Sequence, residues 1–335
     1  VSVLCLEGRI YGVERVGNMW LIPKDAKKPE DARTFRFENQ YSLVKPFLKW
    51  AGGKAQILND IRAKYPKGLG KTIKKYAEPF VGGGAVLFDI LSNYEMDEIY
   101  ISDINEELIF TYKTIRDNPD ELILLLDKFE KEYINADEAE RQEIYYSKRE
   151  KFNNIKLQSL WNTELAALFI FLNKTCFNGL YRVNRKGEFN VPQGRYKNPL
   201  ICDRSNLKIV SDKLKGVNIV CADYRKSIDF IEDDTFVYID PPYRPLNASS
   251  NFTAYSQEGF DDNAQIELAD FIDRLNAKGA KIIASNSDPK NVNPNDDFFD
   301  ELYKRHNLKR IYASRMINSV GNSRGKISEL LISNY

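Results

Sequence analysis

The residues with the clearest capacity for chemistry are Asp240, Pro241, Pro242 and Tyr243, which follow an apolar run at residues 236–239. The run predicts a buried strand. Neither proline can donate a hydrogen bond to a sheet, so the strand must end there. A carboxylate, a rigid bend and an aromatic ring then lie at the carboxyl end of a strand, where α/β sheets bind ligands. The alternative is a strand that ends at two prolines with a tyrosine packed nearby.

A glycine-rich turn is the second candidate. Gly82, Gly83 and Gly84 follow a short predicted strand and precede a predicted helix at residues 86–94. Glycines let a ligand lie against the backbone, and the helix N-terminus offers free N–H groups. Asp103 ends the next predicted strand, about 20 residues further on, where an acid can bind a ribose hydroxyl pair.

That spacing also fits a dinucleotide site, but the glycines are consecutive and do not form GxGxxG. Glu78 and Phe80 belong to Glu-Pro-Phe-x-Gly-Gly-Gly, which is typical of sites for S-adenosylmethionine. Asp223 follows another predicted strand and could accept a hydrogen bond from the cofactor's adenine amino group. An ordinary turn residue is nearly as good an explanation for Asp223.

The sequence FLKWAGGK places Lys49, Trp50 and Lys54 around a Gly-Gly turn, before a predicted helix at residues 55–65. Lys54 at a helix start could hold an anionic group. The stretch is not a phosphate-binding P-loop, because GxxxxGK followed by Ser or Thr is not met.

Residues 174–204 carry seven basic residues and two acidic ones, and they predict a hairpin with its turn at residues 184–187. Basic residues bind phosphates, and an arginine can read guanine through two hydrogen bonds. Phe177, Leu180 and Tyr181 could wedge between base steps. On composition alone, a solvated basic hairpin competes with this interpretation.

In this order, FLKWAGGK, EPFVGGGAV, SDIN and DPPY resemble the motifs of the Dam family of DNA adenine-N6 methyltransferases, in its alpha arrangement. The resemblance covers residues 46–335. It implies an α/β, seven-stranded, doubly wound (Rossmann-like) methyltransferase sheet. It also implies methyl transfer from S-adenosylmethionine to an adenine flipped out of double-stranded DNA, with S-adenosylhomocysteine as product and no metal.

The resemblance assigns roles to the candidate residues. Asp240 and the Pro241 carbonyl each accept one N–H of the adenine amine, and Tyr243 stacks on the flipped ring. We expect the cofactor to contact Trp50, Lys54, Glu78, Phe80, Gly82, Gly83, Gly84, Asp103, Asp223 and Asp240.

Within the basic segment, NGLYRVNxxGEFNVPxGRYKxP resembles the recognition hairpin of GATC-specific Dam-type enzymes. The resemblance assigns Arg182 to the guanine paired with the last cytosine, and Leu180 and Pro192 to thymine. Phe177 takes the intercalating position, and Lys49 contacts the first guanine. The full predicted DNA-binding set adds Lys174, Asn178 and Arg195.

The segment departs from one common form of this hairpin at Phe177 instead of Tyr, Lys174 instead of Arg, and Gln193 instead of Phe. These changes affect phosphate contacts and base-pair wedging more than the guanine-reading arginine. GATC is therefore the expected target.

Strands that can position these residues are predicted at residues 75–77, 99–102, 218–221, 236–239, 280–285, 310–313 and 329–333. Helical stretches separate most of them, whereas the last two have a short link and could pair antiparallel. Between the cofactor and catalytic motifs, helices are predicted at residues 106–116, 120–132, 136–152 and 160–173. We therefore predict a catalytic domain at 41–110 and 216–335 and a mostly helical target-recognition domain at 111–215, which carries the hairpin.

Residues 8–23 predict a hairpin with its turn at Gly17 and Asn18, and a basic run follows at residues 24–29. The stretch LEGRIYGVERVGNMWLIPKDAKKP resembles the latter part of the winged helix-turn-helix domains of excisionases and MerR-type regulators. Residues 1–40 are thus either a remnant of a DNA-binding module or a peripheral hairpin.

The chain has 335 residues, 43% hydrophobic and 29% charged, and a net charge of +1, so any nucleic-acid surface must be local. No apolar run approaches the ~18 residues of a membrane helix, and no signal peptide is recognised. Four cysteines without CxxC pairing and one histidine argue against a zinc site and a histidine-based triad. We expect a cytoplasmic monomer without membrane association, and a cognate restriction endonuclease acting on the same site is a conceivable partner.

The residues leave two alternative functions open. Enzymes with Asn-Pro-Pro-Tyr methylate glutamine in proteins, and related motifs act on RNA, but Asp240 and the basic hairpin favour DNA adenine. A DNA-binding protein without turnover is the other alternative, and the intact motif at residues 240–243 argues against it.

Overall fold

The computed structural model describes residues 14–16, 19–21, 23, 44–50, 52–244, 260–314 and 326–335. The chain divides into two compact units, residues 1–43 and 44–335. In the first unit, β1 (Glu14–Val16) and β2 (Met19–Leu21) pair antiparallel, which confirms the predicted hairpin strands. The predicted turn and the basic run at 24–29 lie outside the described residues.

The second unit contains one seven-stranded sheet in the order β5-β4-β3-β6-β7-β9-β8. The first five strands in that order are parallel, and β9 runs antiparallel to both β7 and β8. This is the predicted methyltransferase-type sheet, including its final antiparallel pair. The strands are β3 (Lys75–Glu78), β4 (Glu98–Asp103), β5 (Asn218–Cys221), β6 (Thr235–Ile239), β7 (Lys281–Ser287), β8 (Asn307–Ser314) and β9 (Lys326–Ser333).

The strand order reverses between β3 and β6. From β3 the chain adds β4 and β5 on one side, and then returns to add β6 and β7 on the other. In open α/β sheets such a reversal opens a crevice at the carboxyl ends of the strands, and ligands bind there. Glu78 ends β3 and Asp240 follows β6, so both flank this crevice.

The central strand β6 is buried on both faces, as its continuous apolar run predicts. Phe236 and Tyr238 pack into the core on one face, whereas Val237 and Ile239 pack into the core on the other. Because side chains alternate along a strand, two hydrophobic layers hold β6 in one register. The position of Asp240 is thereby fixed from both sides.

The helices cover the faces of the sheet and form the insertion between β4 and β5. Within the insertion α6 packs against α3, α4 and α5. None of the helices in the described part of the chain is long and apolar enough to cross a membrane. The helices are α1 (Leu58–Arg62), α2 (Ala85–Asn93), α3 (Glu106–Asp117), α4 (Pro119–Asn135), α5 (Glu138–Leu157), α6 (Thr163–Thr175), α7 (Arg204–Leu214), α8 (Asp262–Ala277) and α9 (Phe298–Leu302).

Three expectations about local structure were wrong in detail. The helix predicted at 55–65 is a 3-10 turn (Lys54–Gln56) followed by the short α1, and Pro66 disfavours helical backbone at the residue before it. The helix predicted from residue 160 starts at Thr163, because the Asn162 side chain caps it. Helix α7 was not predicted, although its buried side recurs with helical spacing.

The basic segment at residues 174–204 is held differently from a regular two-stranded ladder. It has isolated bridges, Cys176 to Gln193 and Val183 to Phe189, rather than extended strands. Instead, the backbone of the segment binds to side chains of α5. Asn153 Oδ1 accepts from Phe189 N at 2.8 Å, and Asn153 Nδ2 donates to the Phe189 carbonyl at 3.1 Å. The predicted turn is present, with Gly187 N donating to the Asn184 carbonyl at 2.9 Å.

We predict that Leu168→Ala lowers the free energy of unfolding by about 2–5 kcal/mol, because truncation of a fully buried leucine leaves a cavity. The matched control is Leu157→Ala on α5, where the side chain is 61% exposed and the expected change is within about 0.5 kcal/mol. Urea unfolding followed by circular dichroism measures both. Equal losses in the two variants would contradict the packing described for α6.

Candidate functional site

The predicted site residues converge on the carboxyl edge of the parallel strands. Asp103 ends β4, Glu78 ends β3 and Asp240 follows β6. These strands are neighbours in the sheet, so side chains separated by up to 162 positions in sequence share one edge. The glycine turn that follows β3 therefore lies near the same edge as the 240–243 motif that follows β6.

Asp240 is held by a buried cation. Lys54 is 3% exposed, and its Nζ lies 2.7 Å from Asp240 Oδ1 and donates to the Gly52 carbonyl at 2.6 Å. Ser285 Oγ, from β7, also donates to Oδ1 at 2.9 Å, and the Tyr238 hydroxyl lies 3.0 Å from Ser285 Oγ. Among the described residues, both contacts of this carboxylate fall on Oδ1. Oδ2 is therefore available to accept a hydrogen bond from a ligand.

The rest of the motif is held by residues that were not among the predicted site residues. Gln265 Nε2 donates to the Pro242 carbonyl at 3.2 Å, and Asn286 donates to Gln265 Oε1 at 3.0 Å. The Tyr243 hydroxyl donates to Glu329 Oε2 at 2.9 Å. Gln265 lies on α8 and Glu329 on β9, so no local motif spacing marks either residue.

The glycine turn packs against Trp50. Gly82 has a φ of +46°, and a Cβ there would lie 2.8 Å from Trp50 Cδ1; a Cβ on Gly83 would lie 3.0 Å from Trp50 Cβ. Gly84 has a φ of +71° and faces the Tyr112 hydroxyl. The glycines are thus needed for packing within the protein, in addition to any approach of a ligand.

Asp103 is linked to this turn. Its carboxylate accepts hydrogen bonds from Gly82 N at 3.1 Å and from Asn105 N at 3.0 Å. Burial raises the pKa of Asp103 above its ordinary value, while these backbone donors act in the opposite direction. Ile104, the next residue, is 55% exposed beside it, and Phe80 stacks on Tyr224 with ring centroids 5.1 Å apart.

Glu78 is buried beside the other charges. Burial raises the pKa of Glu78 to about 8, although the hydrogen bond from Tyr76 Oη to its carboxylate (2.6 Å) lowers it. The negative charge of Asp240 adds to the rise, and the ammonium of Lys54 counteracts it. At neutral pH Glu78 is therefore mostly protonated.

Asp223 already has partners. Its carboxylate accepts from the backbone N of Arg225 at 3.0 Å and from the Arg225 guanidinium at 2.7 and 3.1 Å. This is the turn geometry that the sequence offered as the alternative. A role in cofactor binding stays a prediction, and it would require Asp223 to share its oxygens with Arg225.

Hydrogen bonds of the Asn173 side chain link the basic segment to the FLKWAGGK segment. Its Oδ1 accepts from Lys49 N at 2.8 Å, and its Nδ2 donates to the carbonyls of Lys49 at 2.7 Å and Gly179 at 3.0 Å. A Cβ on Gly179 would lie 2.6 Å from Lys49 Cβ. The segment that carries Lys49 and Trp50 thus lies directly against the start of the basic segment.

Several predicted DNA contacts lie on the surface of this segment. Phe177 is 52% exposed, and its backbone N donates to the carbonyl of the exposed Pro192 at 2.9 Å. Asn178 is exposed with a φ of +55°, and Leu180 is half-buried. Arg195 is exposed as well.

The basic side chains of the segment differ in their surroundings. Arg182 is exposed and donates through Nε to Asn190 Oδ1 at 2.8 Å, which orients its guanidinium. Burial lowers the pKa of Lys174, and the nearby charge of Lys49 lowers it further. The Lys49 ammonium lies 4.3 Å from the centre of the Tyr196 ring.

The expectation that Tyr181 wedges between bases was wrong. Tyr181 is buried and stacks on Trp50 with ring centroids 5.8 Å apart. Gln193, one of the departures from the common hairpin form, donates to the Tyr133 hydroxyl at 2.7 Å. It faces the helices of the insertion, so this substitution is accommodated within the protein.

Known proteins resemble the chain over most of its length. The family described as D12 class N6 adenine-specific DNA methyltransferase matches residues 50–317, which include the glycine turn, the basic segment and the 240–243 motif. The Type II methyltransferase M.MjaIII of Methanocaldococcus jannaschii is 52% identical over 294 residues, 87% of this chain and 99% of that protein.

Two further relatives are more distant. The Type II methyltransferase M1.LlaDCHI of Lactococcus lactis subsp. cremoris is 37% identical over 294 residues, 87% of this chain and 96% of that protein. The DNA adenine methylase of Escherichia coli is 36% identical over 285 residues, 85% of this chain and 93% of that protein. The similarity therefore extends over nearly the full length of each relative.

We predict that Glu78→Gln flattens the pH dependence of stability in the ligand-free protein. A pKa of about 8 in the folded state, against 4.5 ordinarily, means that folding retains a proton that the unfolded chain releases. The stabilisation is complete below pH 4.5 and is lost as the pH rises through 8. Urea unfolding at several pH values between 5 and 9 should show wild type losing stability relative to the variant. Parallel curves would contradict a protonated Glu78.

Proposed function

We propose that this chain, which belongs to the D12 class of N6 adenine-specific DNA methyltransferases, methylates the adenine of GATC in double-stranded DNA with S-adenosylmethionine as methyl donor. The observation that carries the proposal is the oriented carboxylate of Asp240, with Oδ2 available, beside a glycine turn and next to an exposed basic segment. The family establishes an adenine-specific DNA methyltransferase; the target sequence and the methyl donor are our inference.

The chemistry of the pocket fits the methyl donor. Half-buried Phe80 and exposed Ile104 provide apolar surface beside the Asp103 carboxylate, a combination that suits the base and the ribose hydroxyls of a nucleoside. The same edge of the sheet is lined by Lys54, Glu78, Trp50 and the turn at residues 82–84. When bound, S-adenosylmethionine supplies a methyl group activated by a positively charged sulfur.

Asp240 raises the reactivity of the target amine. The lone pair of the exocyclic nitrogen of adenine is delocalised into the ring, so the amine is a weak nucleophile. Asp240 Oδ2 and the Pro241 carbonyl would each accept one N–H, which localises the lone pair and stabilises positive charge as it develops. The contacts of Lys54 and Ser285 with Oδ1 orient the carboxylate and support this role.

The adenine must leave the duplex to reach Asp240, because its amine is inaccessible within the base stack. Tyr243 offers an aromatic face to the extruded base, and stacking is worth about 1–3 kcal/mol per base. Phe177, which is exposed on the basic segment, would fill the gap left in the duplex.

The basic segment is the part of the chain that we expect to select the DNA target sequence. Arg182 and Lys49 would bind the guanines through hydrogen bonds, and Leu180 and Pro192 would contact the thymine methyl group. A relative named DNA adenine methylase is 36% identical to this chain over 285 residues, which supports adenine as the methylated base. The remaining proposed contacts to DNA are Lys174, Asn178 and Arg195.

We further propose that a monomer carries out the reaction, with residues 41–110 and 216–335 as catalytic domain and 111–215 as target-recognition domain. Residues 1–40 would add DNA contacts if they are a winged-helix remnant. A restriction endonuclease that cuts the same sequence is the proposed biological partner.

The direct test of the function is incubation of an unmethylated plasmid with the protein and S-adenosylmethionine. Digestion with nucleases that cut GATC according to its adenine methylation then reports the modified sites.

We predict that Asp240→Ala abolishes methyl transfer, because no carboxylate then accepts the N–H of the amine. Transfer of a labelled methyl group to GATC-containing DNA measures this, with circular dichroism as a check on folding. Ser285→Ala is the graded comparison: it removes one of the two contacts that orient Asp240 and should slow transfer without abolishing it. Turnover by Asp240→Ala at the wild-type rate would exclude the mechanism.

We predict that Arg182→Ala relaxes specificity at one G·C pair by about 1–3 kcal/mol, because it removes a contact to a base edge. Arg185→Ala is the matched control, since that arginine is exposed at the turn of the same segment. Methylation rates on GATC and on duplexes with single substitutions give the discrimination at each position. A uniform loss on all sequences would instead make Arg182 a phosphate contact.

A further inference from the structure

Tyr243 is held by an acid from a distant strand. Its hydroxyl donates to Glu329 Oε2 at 2.9 Å, across 86 positions in sequence. Burial raises the pKa of Tyr243 far above its ordinary value, and the negative charges of Asp240 and Glu329 add to this effect. The phenol therefore keeps its proton and acts as the donor in this bond.

Glu329 lies on a strand that is paired on both sides. It is on β9, between β7 and β8, and its register partners are Ser287 and Ile311. The neighbouring Ser328 bonds through its hydroxyl to Asp288 and Asn291, at 2.7 and 2.9 Å, and not to the motif. Alternation along the strand thus directs Glu329 to Tyr243 and Ser328 to a separate network.

The Lys54 side chain also restrains the ring of Tyr243, because it covers one face of that ring. The Lys54 ammonium lies 4.8 Å from the centre of the ring, so one aromatic face is covered by a cation that also contacts Asp240. The hydroxyl bond restricts how far the ring can swing about its Cα–Cβ bond. With one face covered and the far end anchored, a flat ligand that stacks on this ring must use the opposite face.

We propose that Glu329 is a positioning residue, which holds the Tyr243 ring so that the flipped adenine stacks on the face opposite Lys54. The inference rests on the proposed function. A ring that is already oriented does not lose conformational freedom when the base arrives, so the base is captured more often in a reactive position. Loss of the anchor should therefore slow methyl transfer about tenfold while weakening overall DNA binding much less.

The test uses Glu329→Ala, Tyr243→Phe, the double variant and Glu329→Gln. Single-turnover methylation of a GATC duplex gives the rate. Fluorescence of a duplex with 2-aminopurine at the target adenine reports base extrusion and stacking. We expect both single variants to lose about the same factor and the double variant to lose no more, because each removes the same bond. Glu329→Gln should retain most of the activity, since its amide oxygen still accepts from Tyr243.

Ser328→Ala is the matched control on the same strand. It removes buried hydrogen bonds and should lower the free energy of unfolding, but it should leave the 2-aminopurine signal unchanged. A merely structural role of β9 would make Ser328→Ala and Glu329→Ala behave alike in both measurements, and would overturn the proposal.

Three further results would also overturn it: wild-type rate and fluorescence in Glu329→Ala, fully additive losses in the double variant, or a loss in Glu329→Gln as large as in Glu329→Ala. Failure of the proposed function is distinguishable, because the wild-type protein would then transfer no methyl group from S-adenosylmethionine to the GATC duplex. Wild-type turnover together with an unaffected Glu329→Ala rejects only the role of Glu329.

Discussion

The ion pair between Lys54 and Asp240 is the interaction on which the site depends. A lysine that is 3% exposed would be strongly unfavourable without a partner, and Asp240 supplies the compensating charge at 2.7 Å. The pair connects the segment around Gly52 to the end of the central strand β6. Because Lys54 also lies over the Tyr243 ring, one buried cation sets the geometry of both functional side chains of the motif.

A second constraint is the close packing around Trp50. The glycine turn leaves room for the indole only because positions 82 and 83 carry no side chain, and Tyr181 stacks on the indole. Asn173 binds both backbone groups of Lys49, the residue before Trp50. The FLKWAGGK segment and the start of the basic segment are therefore parts of one packed structure, which explains why Tyr181 is buried.

Side chains from outside the 240–243 motif hold it in place. Ser285 orients Asp240, Gln265 fixes the Pro242 carbonyl, and Glu329 anchors Tyr243. They come from β7, α8 and β9, elements that follow the motif in the chain. Rigid strands and a helix hold positions more precisely than loops do, and a shift of about 1 Å at such a site can cost a large factor in rate.

The sequence by itself determined the seven strands of the sheet, the buried character of β6, and the four motifs in order, because each of these is written in contiguous residues whose periodicity or spacing carries the signal. It also supplied the candidate residues Asp240, Lys54, Asp103 and Arg182. Only the tertiary structure decided that Lys54 pairs with Asp240 and that Tyr181 packs inward. It also decided that Asn153 holds the hairpin in place of a regular ladder. The supporting roles of Gln265, Asn173 and Glu329 likewise emerge only from the tertiary structure. Gln265 and Pro242 are 23 positions apart, Asn153 and Phe189 are 36 apart, and Lys54 and Asp240 are 186 apart. No local pattern encodes such a pair, because it arises only when the sheet brings distant strand ends together.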